Sequence, residues 1–263
     1  MPDWSSSAER NQDAVAQMKL VHAILGLYAW EFTLSLGFDW AVLTGRTRFR
    51  WPLVFYFAAR YILLFALIGT IIALDTTKEM NCQALYTFNQ LVGDATAGLP
   101  SINLSIRTIA IWSRNKWIVA LLVMVTFGHW SLILQGALLT AAYIPGEGCT
   151  IIKENNTILA ATFIYTMCFD LLVLVLSAFK LAWQRHSRGM GFQSRLVKMV
   201  FVDGLVYFFI AFIANTIAVV FMLLDLNSIM SIFFNCTATT TSTVVACRVV
   251  RRLYDFDFGP KVL

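Results

Sequence analysis

Apolar positions along the chain fall into seven long blocks separated by short polar segments. The blocks lie near 20–43, 52–74, 84–109, 117–143, 157–180, 199–224 and 227–247. Crossing about 30 Å of hydrocarbon takes roughly 20 apolar residues in a helix, and each block reaches that length. None shows the ten-residue alternation of an outer-membrane strand, and lipid admits only helices or closed barrels. The pattern predicts an all-α fold, a polytopic bundle of seven transmembrane helices.

The polar ends of the chain define the predicted domains. Residues 1–18 lack a basic segment, and no small-residue cleavage site follows the first block, so we interpret that block as a retained span. We predict a short extracellular or lumenal segment over 1–18 and a membrane domain over 19–250. The residues that follow, 251–263, are predicted to form a short cytoplasmic tail.

Lysine and arginine are distributed unevenly between the two sides of the predicted bundle. Fifteen of the 20 basic residues lie on the side that holds the first, third and fifth connections and the C-terminus. The other side carries four, namely Arg10, Lys19, Lys78 and Lys153. Since basic residues concentrate in cytoplasmic loops, the distribution predicts an external N-terminus and a cytoplasmic C-terminus.

Composition agrees with this class. Hydrophobic residues make up 59% of the 263 residues and charged residues only 13%, which excludes a soluble globular domain and an intrinsically disordered chain. The net charge of +5 is explained by the cytoplasmic loops, so no nucleic-acid partner is predicted. The lipid bilayer is the expected partner, in the plasma membrane or another membrane of the secretory pathway.

Two cysteines and one glycosylation sequon fall on the predicted outer side. Cys82 precedes the third span and Cys149 follows the fourth, where an oxidising lumen favours a disulfide; two unpaired thiols are the alternative. Cys168, Cys236 and Cys247 fall inside spans and are expected to be small core residues. Asn155 begins an Asn-Asn-Thr sequon in the same outer loop and is a candidate glycosylation site.

Ionisable residues inside the spans are the strongest functional candidates, because each is costly to insert into lipid. Five are predicted at a common depth near the midplane: Glu31, Arg60, Asp94, His129 and Asp170. One interpretation is structural, with Arg60 paired to Glu31 and the other carboxylates neutral or bonded to amides. The other is a buried polar layer that binds a ligand, a cation or a proton.

A second group of charges lies nearer the predicted cytoplasmic face. Asp39 lies late in the first span, Asp203 lies early in the sixth, and Arg107 lies at the inner end of the third. Arg107 is either one more positive-inside residue or part of an ionic lock to Asp203 that opens when the sixth span moves. The adjacent basic segment 180–198 is a candidate docking surface for a cytoplasmic signalling partner.

Recognisable catalytic chemistry is absent from the sequence. There is no GxxxxGK[ST], HExxH or GxSxG motif and no metal-ligand spacing, so we expect no enzyme activity, no metal and no cofactor. The seventh span has no lysine for a retinal Schiff base. The third and seventh spans also lack the Asp/Glu-Arg-Tyr and Asn-Pro-x-x-Tyr motifs of animal G-protein-coupled receptors.

Several segments carry a resemblance to a known group. They are FDWAVLTGRTRFRWPLVFYFAARYILLFALIG (38–69), NCQALYTFNQL (81–91), SINLSIRTIAIWSRN (101–115), FGHWSLILQG (127–136), NNTILAATFIYTMCFDL (155–171) and ACRVVRRL (246–253). In them the chain resembles uncharacterised seven-helix integral membrane proteins of basidiomycete fungi. The resemblance implies a fungal multi-pass protein, loosely described as receptor-like, and implies no ligand, reaction or site residue.

The sequence therefore leaves three functional hypotheses. The first is a seven-span receptor-like sensor of an unknown small-molecule ligand. The second is a small transporter or proton-coupled carrier that uses the intramembrane carboxylates. The third is a non-catalytic structural membrane protein whose polar layer only fixes helix packing.

Overall fold

The computed structural model describes residues 7–46, 49–75, 81–136, 140–144, 148–153, 156–187, 192–224 and 228–258. Within these ranges the fold is a helical bundle with one small hairpin. The elements are α1 (Ser7–Leu34), α2 (Leu36–Leu43), α3 (Pro52–Asp75), α4 (Cys82–Ile111), α5 (Lys116–Gly136), β1 (Thr140–Ile144), β2 (Gly148–Lys153), α6 (Asn156–Ser187), α7 (Phe192–Leu224) and α8 (Ser228–Phe258).

Six of the seven apolar blocks correspond to one helix each, and the first corresponds to the pair α1 and α2. The fourth block differs at its end, because α5 stops at Gly136 whereas 117–143 was predicted to be helical throughout. Thr140–Ile144 instead pairs antiparallel with Gly148–Lys153. The Gln83 side chain accepts a hydrogen bond from the Ala141 amide at 2.8 Å, so this backbone is satisfied without a helix.

Helix also extends beyond the predicted membrane domain at both ends. α1 begins at Ser7, inside the segment 1–18, and α8 continues to Phe258, inside the predicted tail 251–263. The last turns of α8 are held by packing, since the Tyr254 ring meets the Phe38 ring edge-on at 5.4 Å. Tertiary packing thus stabilises the extra turns of this helix. The pattern of polar and apolar residues along the sequence does not reveal such packing.

Side-chain contacts fix how neighbouring helices run. α1 and α3 are antiparallel, because His22 meets Asp75 at one end of the pair and Tyr56 donates to Asp39 beyond the other end of α1. α4 packs against α3, α5, α6 and α8 and is the central helix of the bundle. The hairpin lies at the end of the bundle where α4 begins.

Large apolar side chains cover the outside of the bundle, while many polar side chains are buried. On α5, for example, Trp117, Met124 and Phe127 are each about 70% exposed or more, whereas His129 is fully buried. Soluble proteins rarely expose contiguous apolar surface of this kind. The distribution is typical of helices whose outer surface contacts lipid.

Three described helical segments are long and apolar enough to cross a membrane: Pro52–Asp75, Lys116–Gly136 and Thr157–Lys180. A fourth arises if Gln12–Leu34 and Leu36–Leu43, which meet at an angle of 46°, form one bent span. These apolar helices are compatible with an integral membrane protein.

Candidate functional site

The first span is interrupted at Ser35, and the interruption creates the need for a polar partner. α1 ends at Leu34 and α2 begins at Leu36, so the regular pattern of backbone hydrogen bonds is broken between them. The Ser35 hydroxyl donates to the Glu31 carbonyl at 2.7 Å. The Phe32 carbonyl faces α3, where Arg60 Nη2 donates to it at 2.5 Å. A side chain from the next helix thus adds a hydrogen bond at the break, where the Phe32 carbonyl also accepts from the Ser35 amide.

Arg60 is buried, and all three nitrogens of its guanidinium group lie close to oxygen atoms. Its Nε lies 3.1 Å from Asp39 Oδ2, and Nη1 donates to the hydroxyls of Ser35 and, at 2.9 Å, of Tyr56. The Tyr56 hydroxyl donates in turn to Asp39 Oδ1 at 3.1 Å, which closes a ring of contacts. The group also lies 4.1 Å from the centre of the Phe32 ring. The Nε–Oδ2 contact is an ion pair without a hydrogen bond, and the opposite charges together with the surrounding hydrogen bonds compensate the burial of a pair with about 3–4% side-chain exposure.

Glu31 joins the same region to α8. Arg248 binds it in bidentate fashion, with Nε 3.1 Å from Oε1 and Nη2 2.6 Å from Oε2. Arg251, one turn further along, donates to Oε1 at 2.5 Å. The spacing of three residues brings both guanidinium groups to one face of α8. We call Glu31, Asp39, Arg60, Arg248 and Arg251 the ion-pair cluster.

The predicted pairing of Arg60 with Glu31 is wrong. Arg60 pairs with Asp39 instead, and Glu31 pairs with two arginines near the C-terminal end of α8. The prediction assumed that the first span is one straight helix. The span instead bends by 46° after Leu34, and Asp39, which lies beyond the bend, contacts Arg60 of α3. Glu31 lies on the turn of α1 that contacts Arg60, between Tyr28 and Phe32, but its carboxylate is bound by α8 and not by α3.

Asp170 forms a second, separate polar site in the other half of the bundle. Ser101 of α4 donates to its Oδ1 at 3.1 Å, and Asn215 of α7 donates to its Oδ2 at 2.6 Å. The residue is 5% exposed. Three helices therefore meet at one carboxylate through neutral donors.

The remaining two members of the predicted polar layer have local partners. Asp94 accepts a hydrogen bond from Gln90, one turn earlier on α4, at 3.0 Å. His129 is fully buried, with Nε2 2.8 Å from the Thr166 hydroxyl and its ring stacked on Tyr165. The five residues predicted to share one layer are thus divided among several places in the bundle.

The second predicted group is divided as well. Asp39 belongs to the ion-pair cluster, whereas Arg107 is buried on α4 beside Thr108, whose hydroxyl lies 2.9 Å from that of Ser177. Asp203 falls within α7, but its side chain lies outside the described part of the chain. The ionic lock between Arg107 and Asp203 therefore stays a prediction.

At the opposite end of the bundle, the predicted cysteine pair lies at disulfide distance. The Cα atoms of Cys82 and Cys149 are 5.5 Å apart, which connects the start of α4 to β2. Tyr86 adds a hydrogen bond to the Cys149 carbonyl at 3.1 Å. Asn155 lies outside the described residues.

The three remaining cysteines differ in their surroundings. Cys247 is buried, Cys236 is partly buried, and Cys168 is exposed on the outside of α6, so the expectation of three core residues is wrong for Cys168. Among the described residues, no group of three or more His, Cys, Asp or Glu side chains could hold a metal ion.

Sequence reasoning missed Ser35, Tyr56, Arg248 and Arg251 as members of the site. The two arginines were counted only as cytoplasmic charges, although their spacing of three residues was a usable signal for a shared face. Ser35 and Tyr56 carry no such signal, because hydroxyl groups are common in helices and their roles depend on the bend.

Compared with models of protein families and with curated proteins, the chain matches none.

Proposed function

We propose that the chain is a seven-span integral membrane protein that acts as a receptor-like sensor, with its N-terminus outside and its C-terminus in the cytoplasm. The uneven distribution of basic residues supports this orientation. Support for seven spans comes from the match between the seven apolar blocks and the helices α1 to α8, with α1 and α2 counted as one bent span. The same proposal makes the chain a relative of the fungal seven-helix group that its sequence resembles.

The observation that carries the sensor proposal is the ion-pair cluster. It links α1, α2, α3 and α8 through charged contacts of 2.5 to 3.1 Å in the half of the bundle that holds the N-terminal half of α3. A sensor needs an element with two discrete arrangements that an outer ligand can bias. Buried ion pairs that are either made or broken supply such an element, since intermediate separations leave charges unpaired in a low dielectric.

The two ends of the bundle differ in structure. The disulfide and the hairpin hold the start of α4 at the proposed outer end, while exposed Arg248 lies on the rim of the cluster at the other. α3 passes from one end to the other, and Arg60 and Asp75 on it are about 22 Å apart along the helix axis. A movement of α3 relative to α1 therefore transmits a conformational change from one end of the bundle to the other.

Hydrogen–deuterium exchange of the reconstituted protein tests the proposal. Asp39→Asn breaks the buried pair, and we expect faster amide exchange in 31–43 and 244–254 together with altered exchange in the distant hairpin, 140–153. Asp75→Asn is the matched control, because Asp75 also pairs α3 with α1, but through an exposed contact to His22. A response to Asp39→Asn that stays confined to the cluster would favour a purely structural protein.

The carrier hypothesis is tested separately. It proposes that intramembrane carboxylates, Asp170 among them, carry protons across the membrane. Proteoliposomes with a trapped pH-sensitive dye and an imposed membrane potential report proton flux. The sensor proposal expects no flux above that of empty liposomes. Flux that is lost in Asp170→Asn but kept in Asp75→Asn would replace it with the carrier.

A further inference from the structure

Asp170 differs from the two carboxylates of the ion-pair cluster in the partners that it contacts. Asp39 is paired with Arg60, and Glu31 with two arginines. Among the described side chains, Asp170 contacts only neutral donors, Ser101 and Asn215. An ionised carboxylate without a cation is costly in a low-dielectric interior, because two neutral hydrogen bonds do not replace the solvation that is lost.

The charged groups of α4, which packs against α6, lie too far along the helix axis from Asp170 to compensate the charge of its carboxylate. On α4, Arg107 adjoins Thr108, which meets Ser177, about 10 Å along α6 from Asp170. Asp94 lies the same distance from Ser101 in the other direction.

The titratable groups in the described parts of α5 and α7, the two other helices that pack against α6, do not pair with Asp170 either. His129 of α5 is occupied by Thr166 and packs edge-on against the Phe169 ring. Asp203 of α7 lies twelve residues, about 18 Å of helix, before Asn215. No described group on α4, α5 or α7 is thus in position to neutralise Asp170.

A second observation points to an occupant at this level of the bundle. The Ser105 hydroxyl has no hydrogen-bond partner, and the residue is only 4% exposed. It follows Ser101 by one helical turn, so both hydroxyls lie on the face of α4 that packs against α6. Buried hydroxyl groups in proteins are satisfied by protein, water or an ion.

We propose that Asp170, together with Ser101 and Asn215, binds a single positive charge between α4, α6 and α7, either a proton or a sodium ion. The carboxylate and the Ser101 hydroxyl are hard oxygen ligands of the kind that a small hard cation prefers, while the Asn215 amide nitrogen holds the carboxylate in place. A proton neutralises the same carboxylate directly. The site is separate from the ion-pair cluster, so it does not depend on the sensor proposal.

Thermal unfolding of the detergent-purified protein distinguishes the two occupants. Sodium chloride is titrated against choline chloride at constant ionic strength, and the pH is varied from about 6 to 9 without sodium. A sodium site raises Tm by about 3 °C for each tenfold increase in sodium above half-saturation. A proton site instead gives a Tm that falls as pH rises, since the folded protein releases the proton at high pH.

Asp170→Asn is expected to abolish a sodium dependence, or to remove its own part of the pH dependence. Asp75→Asn, which changes an exposed carboxylate, is expected to keep the sodium dependence and to remove only the part of the pH dependence that the His22–Asp75 pair contributes. Wild-type protein without either dependence, or equal dependence in the wild type and Asp170→Asn, would overturn the proposal.

Ser101→Ala keeps the test decisive if Asp170→Asn does not fold. For sodium, loss of one oxygen ligand moves half-saturation to about tenfold higher concentration. For a proton, loss of a donor to the carboxylate makes the proton bind more tightly, so the fall in Tm moves to higher pH. A sodium midpoint and a pH profile both identical to those of the wild type would contradict a site built on Ser101 and Asp170.

Discussion

Arg60 shows how a single side chain can hold an irregular backbone inside a bundle. Its planar guanidinium group presents five donors, and here they reach a carbonyl at the break, two hydroxyls and a carboxylate. Lysine, with one compact ammonium group, cannot reach this set. The need for arginine at this position follows from the bend at Ser35, and a bend is not visible in a count of apolar residues.

Tyr56 offers the most specific residue-scale prediction, because its hydroxyl links Arg60 to Asp39. Tyr56→Phe leaves the ring in place and removes one partner from each of two buried charges, so we expect a loss of about 1–3 kcal/mol in the free energy of unfolding. Tyr61→Phe is the control on the same helix, since the Tyr61 ring packs against Phe32 and Phe57 and no described hydrogen bond uses its hydroxyl. Equal Tm values for the two variants would contradict the assigned role.

At the scale of elements, α5 and α6 approach closely because Gly128 lacks a side chain. A Cβ atom at this position would collide with the Tyr165 hydroxyl, which donates to the Val125 carbonyl at 3.0 Å. Gly128→Ala is therefore expected to lower stability by about 1–3 kcal/mol through overpacking and loss of that hydrogen bond.

The control for this prediction is Gly26→Ala on α1, where a Cβ atom meets nothing within 4 Å. There the gain in helix propensity gives a change between zero and about 1 kcal/mol of stabilisation. Thermal unfolding followed by tryptophan fluorescence measures both variants, and a stabilising Gly128→Ala would show that the two helices are not in close contact.

The hairpin is a second element whose attachment can be tested. Cys82→Ser removes the covalent connection between α4 and β2, for which we expect a loss of about 2–4 kcal/mol. Reducing agent is expected to lower the Tm of the wild type to that of Cys82→Ser. Cys168→Ser, at an exposed free cysteine, is expected to leave both the Tm and its response to reductant unchanged.

For the whole molecule, the length of the apolar blocks predicted most of the helices, because span length is set by the apolar thickness that a helix must cross. It placed the ends of α5, α1 and α8 less well, since those ends depend on strand pairing and on aromatic packing. The sequence indicated that ionisable residues within the spans form the candidate site, but it did not predict which of them pair with each other. Arg60 is buried as predicted, whereas Glu31 is only partly buried. The partners of both residues depend on the bend at Ser35 and on how α8 packs beside α1.

Membrane topology gives a prediction at this same scale. An engineered glycosylation acceptor between β1 and β2, at 145–147, is expected to be modified, and one at 188–190, between α6 and α7, is expected to remain unmodified. The gel mobility shift after deglycosylation reads out both. Modification at 188–190 would reverse the proposed orientation, and modification at both positions would contradict an odd number of spans between them.

The central claim is that Asp39 and Arg60 act as one unit that holds the bent first span to α3. A double-mutant cycle of Asp39→Asn, Arg60→Met and the double variant, read by reversible SDS unfolding in mixed micelles, tests it most directly. Each single change leaves a buried charge or donor set unpaired, so we expect a loss of about 3–5 kcal/mol in each, and a double variant less destabilised than their sum by at least about 1.5 kcal/mol. Losses that add to within about 0.5 kcal/mol would show that the two residues are not coupled and would contradict the claim.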